Sequence, residues 1–384
     1  MIAPMKKRLP LILLLTILLS ACQPTAATPT VDQGAIMTQA VATAMAQYAT
    51  PTPTLTPVPT ATAVRTPPAL PGVFMTSSLN PQDTPHTYVA DSCQYLKSKW
   101  DSNNSVPGTV VMIIMFHGVE KGTDIAADPM NVGGGEFRKL MNSLHDAGFQ
   151  AIYTQQLADF LNHNARIPQR SVLLIKDDRH SAEDFYNWFR QYWLEWRWPV
   201  VNAWISANDG IRALRLQENV ALSAEGWVDY QSHGTVHNIN MTDASTDEYI
   251  SSEFEGSIND LQENFKKTPI AIIWPGGGFG IRPVQIARSY GYQLGFTVNP
   301  RGPVMYNWVP LADASDPHRP SYLAEGYVND PLMVLPRYWS SDARAHIDTV
   351  MQIGEQAAAY AQQNKATELE YYDIVCAPTY GPIP

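Results

Sequence analysis

The sequence predicts an α/β fold, a distorted (β/α)7-8 barrel that forms a single domain. The first observation is that unbroken apolar runs of strand length alternate with segments of helical periodicity between residues 110 and 298. Strands that are apolar along their whole length are buried on both faces, so this pattern indicates a parallel sheet covered by helices. The second observation is that about seven strand–helix units fall within roughly 300 residues, the size of a closed or nearly closed β/α barrel. An open doubly wound sheet is the alternative.

The elements follow one another regularly along the chain. Residues 110–116 form the first predicted strand, and residues 135–147 repeat apolar positions at helical spacing. Further strands are predicted at residues 151–153, 172–175, 200–205, 227–231, 270–274 and 294–298. Further helices are predicted through residues 157–161 and at 182–193, 247–265 and 284–290.

The N-terminus has the pattern of an export signal. Basic residues at positions 6–8 precede an apolar run at 9–19, which small residues follow up to Cys22. The apolar run is shorter than the ~20 residues of a membrane span, although an N-terminal anchor helix is the alternative. Residues 19–22, Leu-Ser-Ala-Cys, resemble the bacterial lipobox. That resemblance implies that residues 1–22 are a lipoprotein signal peptide ending at a lipidated Cys22. We therefore expect an exported protein, lipid-anchored to the membrane, extracytoplasmic or at the cell surface.

Residues 23–72 are rich in Thr, Pro and Ala and are predicted to be an extended tether, since they lack the large apolar groups that offset ordering entropy. Residues 36–48 interrupt this composition and could form a transient helix. The barrel domain is then expected at residues 73–384. Cys93 and Cys376 lie near its two ends, and in an oxidising compartment a disulfide between them is plausible. Two unpaired buried thiols are the alternative.

Composition excludes some functions. The chain carries 26 Lys and Arg against 36 Asp and Glu, a formal net charge of −10. Binding to nucleic acid is therefore not expected, because it requires clustered positive charge. Three cysteines are too few for a disulfide-stapled scaffold or a cysteine-rich metal domain. No obligate protein partner is evident.

Polar side chains collect at the carboxyl ends of the predicted strands, where the loops of a β/α barrel converge. Asp177 and Asp178 follow one strand, His233 and His237 follow another, and a Trp-Pro-Gly turn at 274–276 follows a third. Two histidines and one carboxylate suit a divalent metal of the zinc type with open coordination positions. The second carboxylate could then act as a base on metal-bound water. Each group alone also fits a helix cap, a local hydrogen bond or a plain turn, and their joint placement favours a site.

The order of these groups resembles the polysaccharide deacetylase superfamily, metal-dependent carbohydrate esterases on a distorted β/α barrel. The resemblance covers about residues 110–337. The family's first motif, Thr-Phe-Asp-Asp-Gly, falls on residues 175–179, where the Asp pair is kept. The second, His-x-x-x-His, falls on residues 233–237 intact, and the third, Arg-x-Pro-x-Gly, falls on residues 273–277 without its Arg. The resemblance implies Asp177 as general base and Asp178, His233 and His237 as metal ligands.

Other segments are most similar to the branch of the family that acts on β-1,6-linked poly-N-acetylglucosamine. They are the Ile-Met-Phe-His sequence at residues 114–117, the Glu-Phe-Arg sequence at 136–138, and residues 148–149 and 156–157. That branch also uses an aromatic-Pro-x-Gly form of the third motif. We therefore expect Trp274, Pro275, Gly276 and His117 to contact the substrate.

The chain also departs from the family pattern. Lys176 and Arg179 replace the Phe and Gly that flank the Asp pair. The late Leu-x-His motif, which supplies the general acid in the family, is replaced by Leu-Pro-Arg ending at Arg337. Arg337 could pair with Asp177 and hold it ionised, the role of the missing third-motif Arg. The candidate acids are His117, His180 and His318, and His117 could equally be a packed histidine at the edge of the core.

The resemblance implies a hydrolase acting on linear amide C–N bonds, which removes N-acetyl groups from an amino-sugar polysaccharide. Zn²⁺ is the expected metal, with Ni²⁺, Co²⁺ and Fe²⁺ as alternatives. The altered flanks of the Asp pair and the lost Leu-x-His motif leave a second hypothesis, a catalytically inactive lipoprotein that binds glycan or cell wall on the same fold. A glycosidase is disfavoured, because no well-placed Glu pair lies beside the strand ends.

A run of tryptophans supports two interpretations. They are Trp188, Trp193, Trp196, Trp198 and Trp204. Indole rings can form a platform for sugar faces, but buried aromatics in a helix–strand pair give the same pattern. We favour packing.

Overall fold

In the computed structural model the described residues are 32–48, 65–237, 239–317 and 323–384. Cys22 and His318 lie outside them. The chain divides into two units, Met1–Val64 and Arg65–Pro384. The described part of the first unit contains the helix α1 (Gln33–Gln47), at whose start the Asp32 carboxylate accepts hydrogen bonds from two backbone N–H groups. None of its side chains is buried. A helix is thus present at Gln33–Gln47, over most of the segment that could form one.

The second unit contains the remaining elements. Its strands are β1 (Asp83–His86), β2 (Val110–Phe116), β3 (Val119–Glu120), β4 (Val132–Gly133), β5 (Gln150–Ala151), β6 (Arg170–Lys176), β7 (Val200–Trp204), β8 (Val228–Ser232), β9 (Ala271–Ile273), β10 (Leu294–Phe296), β11 (Val309–Ala312) and β12 (Tyr338–Trp339). Its helices are α2 (Ser92–Trp100), α3 (Gly134–Asp146), α4 (Thr154–His163), α5 (Ala182–Trp188), α6 (Arg190–Trp196), α7 (Gly210–Ser223), α8 (Asp247–Phe265), α9 (Ile281–Ser289), α10 (Ala343–Tyr371) and α11 (Ala377–Tyr380). Within the described parts of the chain, no helix has both the length and the apolar character needed to cross a membrane.

The central sheet is parallel and has the strand order β10-β9-β8-β7-β6-β2-β12, with β5 paired to the start of β6. From β6 to β10 each strand lies beside the previous one in the chain, without the reversal that defines a doubly wound sheet. The sheet curls into a half-barrel. Residues 335–339 connect its two edges, because Leu335 pairs with Phe296 of β10 while Tyr338 and Trp339 pair with β2. The predicted distorted barrel is confirmed.

Both faces of the sheet are buried, as the apolar runs predicted. All seven residues of β2 are buried. Alternate residues of a strand point to opposite faces: Met112 and Ile114 pack outward against α3 and α10, whereas Val111 and Ile113 pack inside with β9 and β10. Trp188, Trp198 and Trp204 are also buried in the outer cluster. The packing interpretation of the tryptophan run is therefore the correct one.

Two boundaries differ from the predictions. The single helix expected at residues 182–193 is two helices, α5 and α6, which meet at the buried Phe189. Its ring packs against Phe116 and Phe137. The folded unit begins at Arg65 rather than at residue 73, since Tyr360 donates a hydrogen bond to the Gly72 carbonyl within it.

The two ends of the folded unit are covalently joined. Cys93 on α2 and Cys376 form a disulfide, with their Cα atoms 5.3 Å apart. The predicted bridge is confirmed, and the alternative of two free thiols is excluded.

Candidate metal centre and catalytic site

The candidate site lies where the strands of the half-barrel end. Asp177 and Asp178 directly follow β6, and His233 directly follows β8. His117 directly follows β2, which is the neighbour of β6. Because the strands are parallel, their carboxyl ends lie at the same edge, and residues far apart in the chain meet there.

The three predicted metal ligands meet. One ligand atom from each of Asp178, His233 and His237 lies within 4.8 Å of the other two. The Asp178 Oδ1 atom is 3.8 Å from His233 Nε2 and 3.2 Å from His237 Nε2. Two imidazole nitrogens and a carboxylate oxygen are a donor set that Zn²⁺ uses in catalytic sites, which leave further positions open. The residues present therefore fit a divalent metal ion.

His233 is prepared for a metal by its surroundings. Its Nδ1 atom donates a hydrogen bond of 2.7 Å to the Ile273 carbonyl, which leaves Nε2 with its lone pair toward the other ligands. Such a hydrogen bond on the second nitrogen is usual for metal-binding histidines. The side chain is fully buried, and burial lowers the pKa of His233 to about 4. The imidazole is therefore neutral at physiological pH, the form that binds a metal.

Two of the three ligands have a left-handed backbone. Asp178 has φ +70° and His237 has φ +67°. Positive φ is uncommon for residues other than glycine, and it concentrates at functional sites when it is not part of a turn or cap. Among the described residues, four other positive-φ side chains end helices, namely Asn164, Arg197, Lys266 and Asn329. A fifth, Asn307, lies in the turn before β11. At Asp178 and His237 the left-handed backbone instead coincides with the candidate ligands.

Asp177 is buried beside two basic side chains. Arg337 Nη1 donates a hydrogen bond of 2.7 Å to its Oδ1, and His117 Nε2 lies 3.8 Å from its Oδ2. Burial alone would raise the pKa of Asp177, but the Arg337 guanidinium and the nearby imidazoles outweigh burial and lower it. Asp177 is therefore ionised at neutral pH, as a base requires.

Arg337 holds the position that the sequence suggested for it. It is fully buried, and its Nε donates a hydrogen bond of 2.6 Å to the Thr297 carbonyl. Residues two apart in a strand share a face, so Trp339 of β12 points the same way. Its ring stacks on the His117 ring with centroids 5.4 Å apart. No role for Trp339 was predicted from the sequence. Its spacing of two residues from Arg337 in an extended segment could have indicated that its side chain faces the site.

The remaining acid candidates differ in their environment. His180 Nε2 hydrogen-bonds to the Asp177 backbone carbonyl at 2.9 Å, and burial lowers the pKa of His180 to about 4. A neutral, hydrogen-bonded His180 is a poor proton donor at neutral pH. His117 instead faces the carboxylate of Asp177 and is only partly buried. His318 lies outside the described residues.

The substrate contacts predicted at the third motif need a correction. Trp274 is fully buried, and its indole N–H donates to the Met333 carbonyl at 2.8 Å. Pro275 is buried as well, so these two side chains are not available to a ligand. Gly276 is exposed, with φ +58°, and forms a tight turn with Gly277 at φ +71°. The third motif therefore shapes the loop and offers backbone at Gly276 rather than an aromatic surface.

Lys176 is a buried charge directly below the site. Its Nζ donates to the His117 carbonyl at 3.0 Å and lies 2.8 Å from the Asp184 carboxylate. Burial lowers the pKa of Lys176, and Asp184 partly opposes this. The cation that replaces the family's Phe is therefore internally paired and ties β6 to the loop of His117.

A cavity of about 360 Å³ lies away from this site. Gly108 and Thr109, which precede β2, line it together with Tyr306 and Trp308. It is at the opposite end of the half-barrel from the strand ends that carry the ligands. We assign it no part in the chemistry.

Comparison with known proteins finds one family match, and it spans part of the candidate site. Residues 165–295 match the family described as polysaccharide deacetylase, and this segment contains the Asp pair and both histidine ligands. No curated protein matches the chain. The family match identifies polysaccharide deacetylase sequence in this part of the chain.

Similar solved structures include a Streptococcus pyogenes deacetylase, PplD, in complex with acetate. It is 18% identical over 63% of this chain and 98% of its own, with a TM-score of 0.50. A de-N-acetylase from Aggregatibacter actinomycetemcomitans is 17% identical over 64% of this chain and 99% of its own, with a TM-score of 0.48. IcaB from Ammonifex degensii is 14% identical over 65% and 99%, with a TM-score of 0.46. At these identities we take from the likeness to PplD only that the fold is shared.

Proposed function

We propose that this polysaccharide deacetylase domain is a metal-dependent hydrolase that removes N-acetyl groups from an amino-sugar polysaccharide. One observation carries the proposal. Asp178, His233 and His237 meet at the strand ends beside Asp177, a buried carboxylate that Arg337 keeps ionised. The family match covers all four of the acidic and histidine residues.

The proposed metal ligands are Asp178, His233 and His237, and Zn²⁺ fits their donor set, with Ni²⁺, Co²⁺ or Fe²⁺ as alternatives. When bound, such an ion supplies Lewis acidity and makes a nearby water more acidic. Asp177 then accepts a proton from the water that attacks the acetyl carbonyl. Arg337 holds the Asp177 carboxylate in place, and its positive charge keeps that carboxylate ionised until the proton arrives.

His117 is the proposed general acid. Its ring stacks on Trp339 and its Nε2 faces Asp177, so one imidazole N–H lies beside the base and close to the site. Protonated His117 donates its proton to the amine nitrogen as the amide C–N bond breaks. The products are acetate and the free amino sugar. Of the two protons of the attacking water, one passes by way of Asp177 to His117 and replaces the proton given to the amine, and the other leaves the acetic acid group for the amine or the solvent.

The test is Asp177→Asn in the metal-loaded protein. Removing the base while sparing all three ligands should leave metal content unchanged and lower deacetylation by about 100-fold or more. The measurement is free amine released from N-acetylglucosamine oligomers, with metal content determined on the same samples. Asp313→Asn, at an exposed carboxylate next to β11, is the matched control and should keep wild-type metal content and deacetylation activity. Full activity of Asp177→Asn would show that the base is assigned wrongly.

The inactive glycan-binding protein remains the second candidate, favoured by the replacement of the Leu-x-His motif. His117 can replace the general acid that the Leu-x-His motif supplies in the family, and Arg337 orients the base. Their presence beside Asp177 supports turnover. Measurable glycan binding without amine release, in the presence of Zn²⁺, would favour the second candidate. The finer assignment to β-1,6-linked poly-N-acetylglucosamine rests on the motif resemblance at residues 114–117 and 136–138. Comparing β-1,6- with β-1,4-linked oligomers tests it.

Export and lipid attachment at Cys22 are part of the proposal and rest on the sequence at residues 5–22. Such a protein would act on polysaccharide outside the cytoplasm while tethered to the membrane. Cys22→Ala in the expressed full chain should abolish incorporation of a labelled fatty acid. Retained labelling in that variant would contradict the assignment.

A further inference from the structure

The loop that joins the two histidine ligands makes an unusual turn. In the four residues after His233 the chain passes through Gly234 at φ +73° and reaches His237 at φ +67°. His237 is the more exposed of the two imidazoles, with 27% of its side chain accessible against 3% for His233. Its position therefore depends on what holds this loop.

Glu253 of α8 holds the middle of the loop. Its carboxylate accepts a hydrogen bond of 2.7 Å from the Thr235 backbone N–H and bonds of 3.0 Å to each oxygen from the Val236 N–H. Glu253 is 1% exposed. A buried carboxylate is costly unless it is well satisfied, and hydrogen bonds to a charged acceptor are about twice as strong as neutral ones.

The contact between α8 and the loop continues on both sides of this carboxylate. The Thr235 hydroxyl donates to the Glu253 carbonyl at 2.9 Å, and the Ser257 hydroxyl donates to Ser232 at 2.7 Å, one residue before His233. Glycines allow the close approach. A Cβ on Gly234 would lie 2.7 Å from Glu253 Oε2, and one on Gly256 would lie 2.5 Å from the Thr235 hydroxyl.

We propose that Glu253 is a positioning residue for the metal centre, one that fixes the turn carrying His237 toward His233 and Asp178. This inference rests on the proposed function, because it assumes that the three side chains bind a metal. Without the Glu253 carboxylate, the Thr235 and Val236 backbone N–H groups lose their acceptor and the loop relaxes from its left-handed turn. His237 then leaves the position in which it meets the other ligands.

The experiment titrates the full metal-free chain with Co²⁺, whose visible absorption reports the number and geometry of its ligands. Glu253→Gln keeps the size of the side chain but removes the negative charge that strengthens the bonds accepted at Oε2. It also places an NH₂ group against the Val236 N–H, donor against donor, where Oε1 accepts in the wild type. We expect Co²⁺ affinity to fall by about 10- to 100-fold, the usual loss when a group that orients a ligand is removed. The Co²⁺ spectrum should change in shape, in addition to the shift of the titration midpoint.

Asp260→Asn is the matched control. Asp260 is a buried carboxylate on the same helix, and it accepts a hydrogen bond of 2.7 Å from Trp204 and pairs with Arg212, away from the loop. Its substitution should destabilise the protein comparably while leaving Co²⁺ affinity and spectrum as in the wild type. Gly256→Ala is a second variant, which presses on Thr235 from the helix and should weaken Co²⁺ binding with the carboxylate intact.

The outcomes separate the two proposals. Wild-type protein that takes up no Co²⁺ would overturn the metal centre and the role of Glu253 together. Wild-type protein that binds Co²⁺, with Glu253→Gln binding equally tightly and with the same spectrum, would overturn the role of Glu253 alone. If Glu253→Gln does not fold, unchanged Co²⁺ binding in Gly256→Ala decides against the proposal, and weakened binding supports it.

Discussion

At the scale of single residues, the metal centre is held at a cost in backbone strain. Asp178 has a left-handed backbone that a glycine would adopt without penalty. We expect Asp178→Gly to raise the free energy of unfolding of the metal-free protein by about 1 kcal/mol, since relief of about 1–3 kcal/mol of strain exceeds the entropy cost of glycine. The same variant should lose metal binding. Urea denaturation and metal titration measure the two effects.

Lys266→Gly is the control for strain, because Lys266 has φ +56° at the end of α8 and lies outside the site. It should gain a similar free energy of unfolding and keep wild-type metal affinity. An Asp178→Gly protein that is destabilised by more than about 1 kcal/mol would contradict the assignment of strain.

The buried imidazole of His233 makes stability depend on pH. Burial lowers its pKa from 6.5 to about 4, so between these values the unfolded chain binds a proton that the folded protein does not. Its contribution to stability is therefore complete above pH 6.5 and is lost progressively as the pH falls toward 4. Asp177 affects stability only at lower pH. Its pKa is lowered in the folded protein, so its contribution to the free energy of unfolding is complete above its ordinary pKa of 3.8. That contribution is lost as the pH falls through the pKa of the folded protein.

The measurement is the free energy of unfolding of the metal-free protein at pH 7 and at pH 4.5, for the wild type and for His233→Gln. We expect the wild type to lose more stability than the variant between these two pH values. An equal loss in both proteins would contradict the neutral state of His233.

The residues of the site could be predicted to different extents. Asp177, Asp178, His233 and His237 were found because strand ends converge and their side-chain types suit metal chemistry. Trp274 was misplaced, because a sequence shows where a strand ends but not which way its last side chain points. The acceptor for that indole is the Met333 carbonyl, far along the chain.

At the scale of elements, the strands of the central sheet other than β12 were predictable, whereas the short strands outside it and several helices were not. The strands are continuous apolar runs, a local signal. By contrast, α7 buries only Asn219 and Leu222, so it has no apolar stripe to detect. Part of the buried face of α10 is Gly354, Ala357 and Ala361, whose small side chains give a weak periodicity. The two-residue β12 depends on pairing with β2, which local sequence does not encode.

The ligands were likewise predictable from local sequence, whereas the residue that holds their loop was not. His233 and His237 lie in one short motif, whereas the carboxylate that braces their loop comes from position 253, within α8. A glutamate in a helix is usually exposed, so nothing in the local pattern marks Glu253. Only the close packing of α8 on the loop after β8 makes it a buried acceptor.

At the scale of the whole molecule, the disulfide fastens the C-terminal end of the folded unit to its start. Cys93 and Cys376 are separated by 283 residues and belong to a small cluster with Leu96 and Tyr372, apart from the two main clusters of the core. A cross-link over so long a loop restricts the unfolded chain strongly, so replacing both cysteines with serine should lower the free energy of unfolding by about 2–5 kcal/mol. Urea denaturation with and without dithiothreitol measures it.

Neither cysteine contacts the metal ligands, so metal affinity of the folded double variant should equal that of the wild type. Reduction should destabilise the wild-type protein to the level of the variant and leave the variant unchanged. Because this cluster is small, apolar burial stabilises the C-terminal end only weakly. We therefore expect the disulfide to supply much of the stability that apolar burial supplies in the half-barrel. Equal stability of oxidised and reduced wild-type protein would show instead that packing of α10 alone secures the C-terminal end, and the covalent bond would then have no stabilising role.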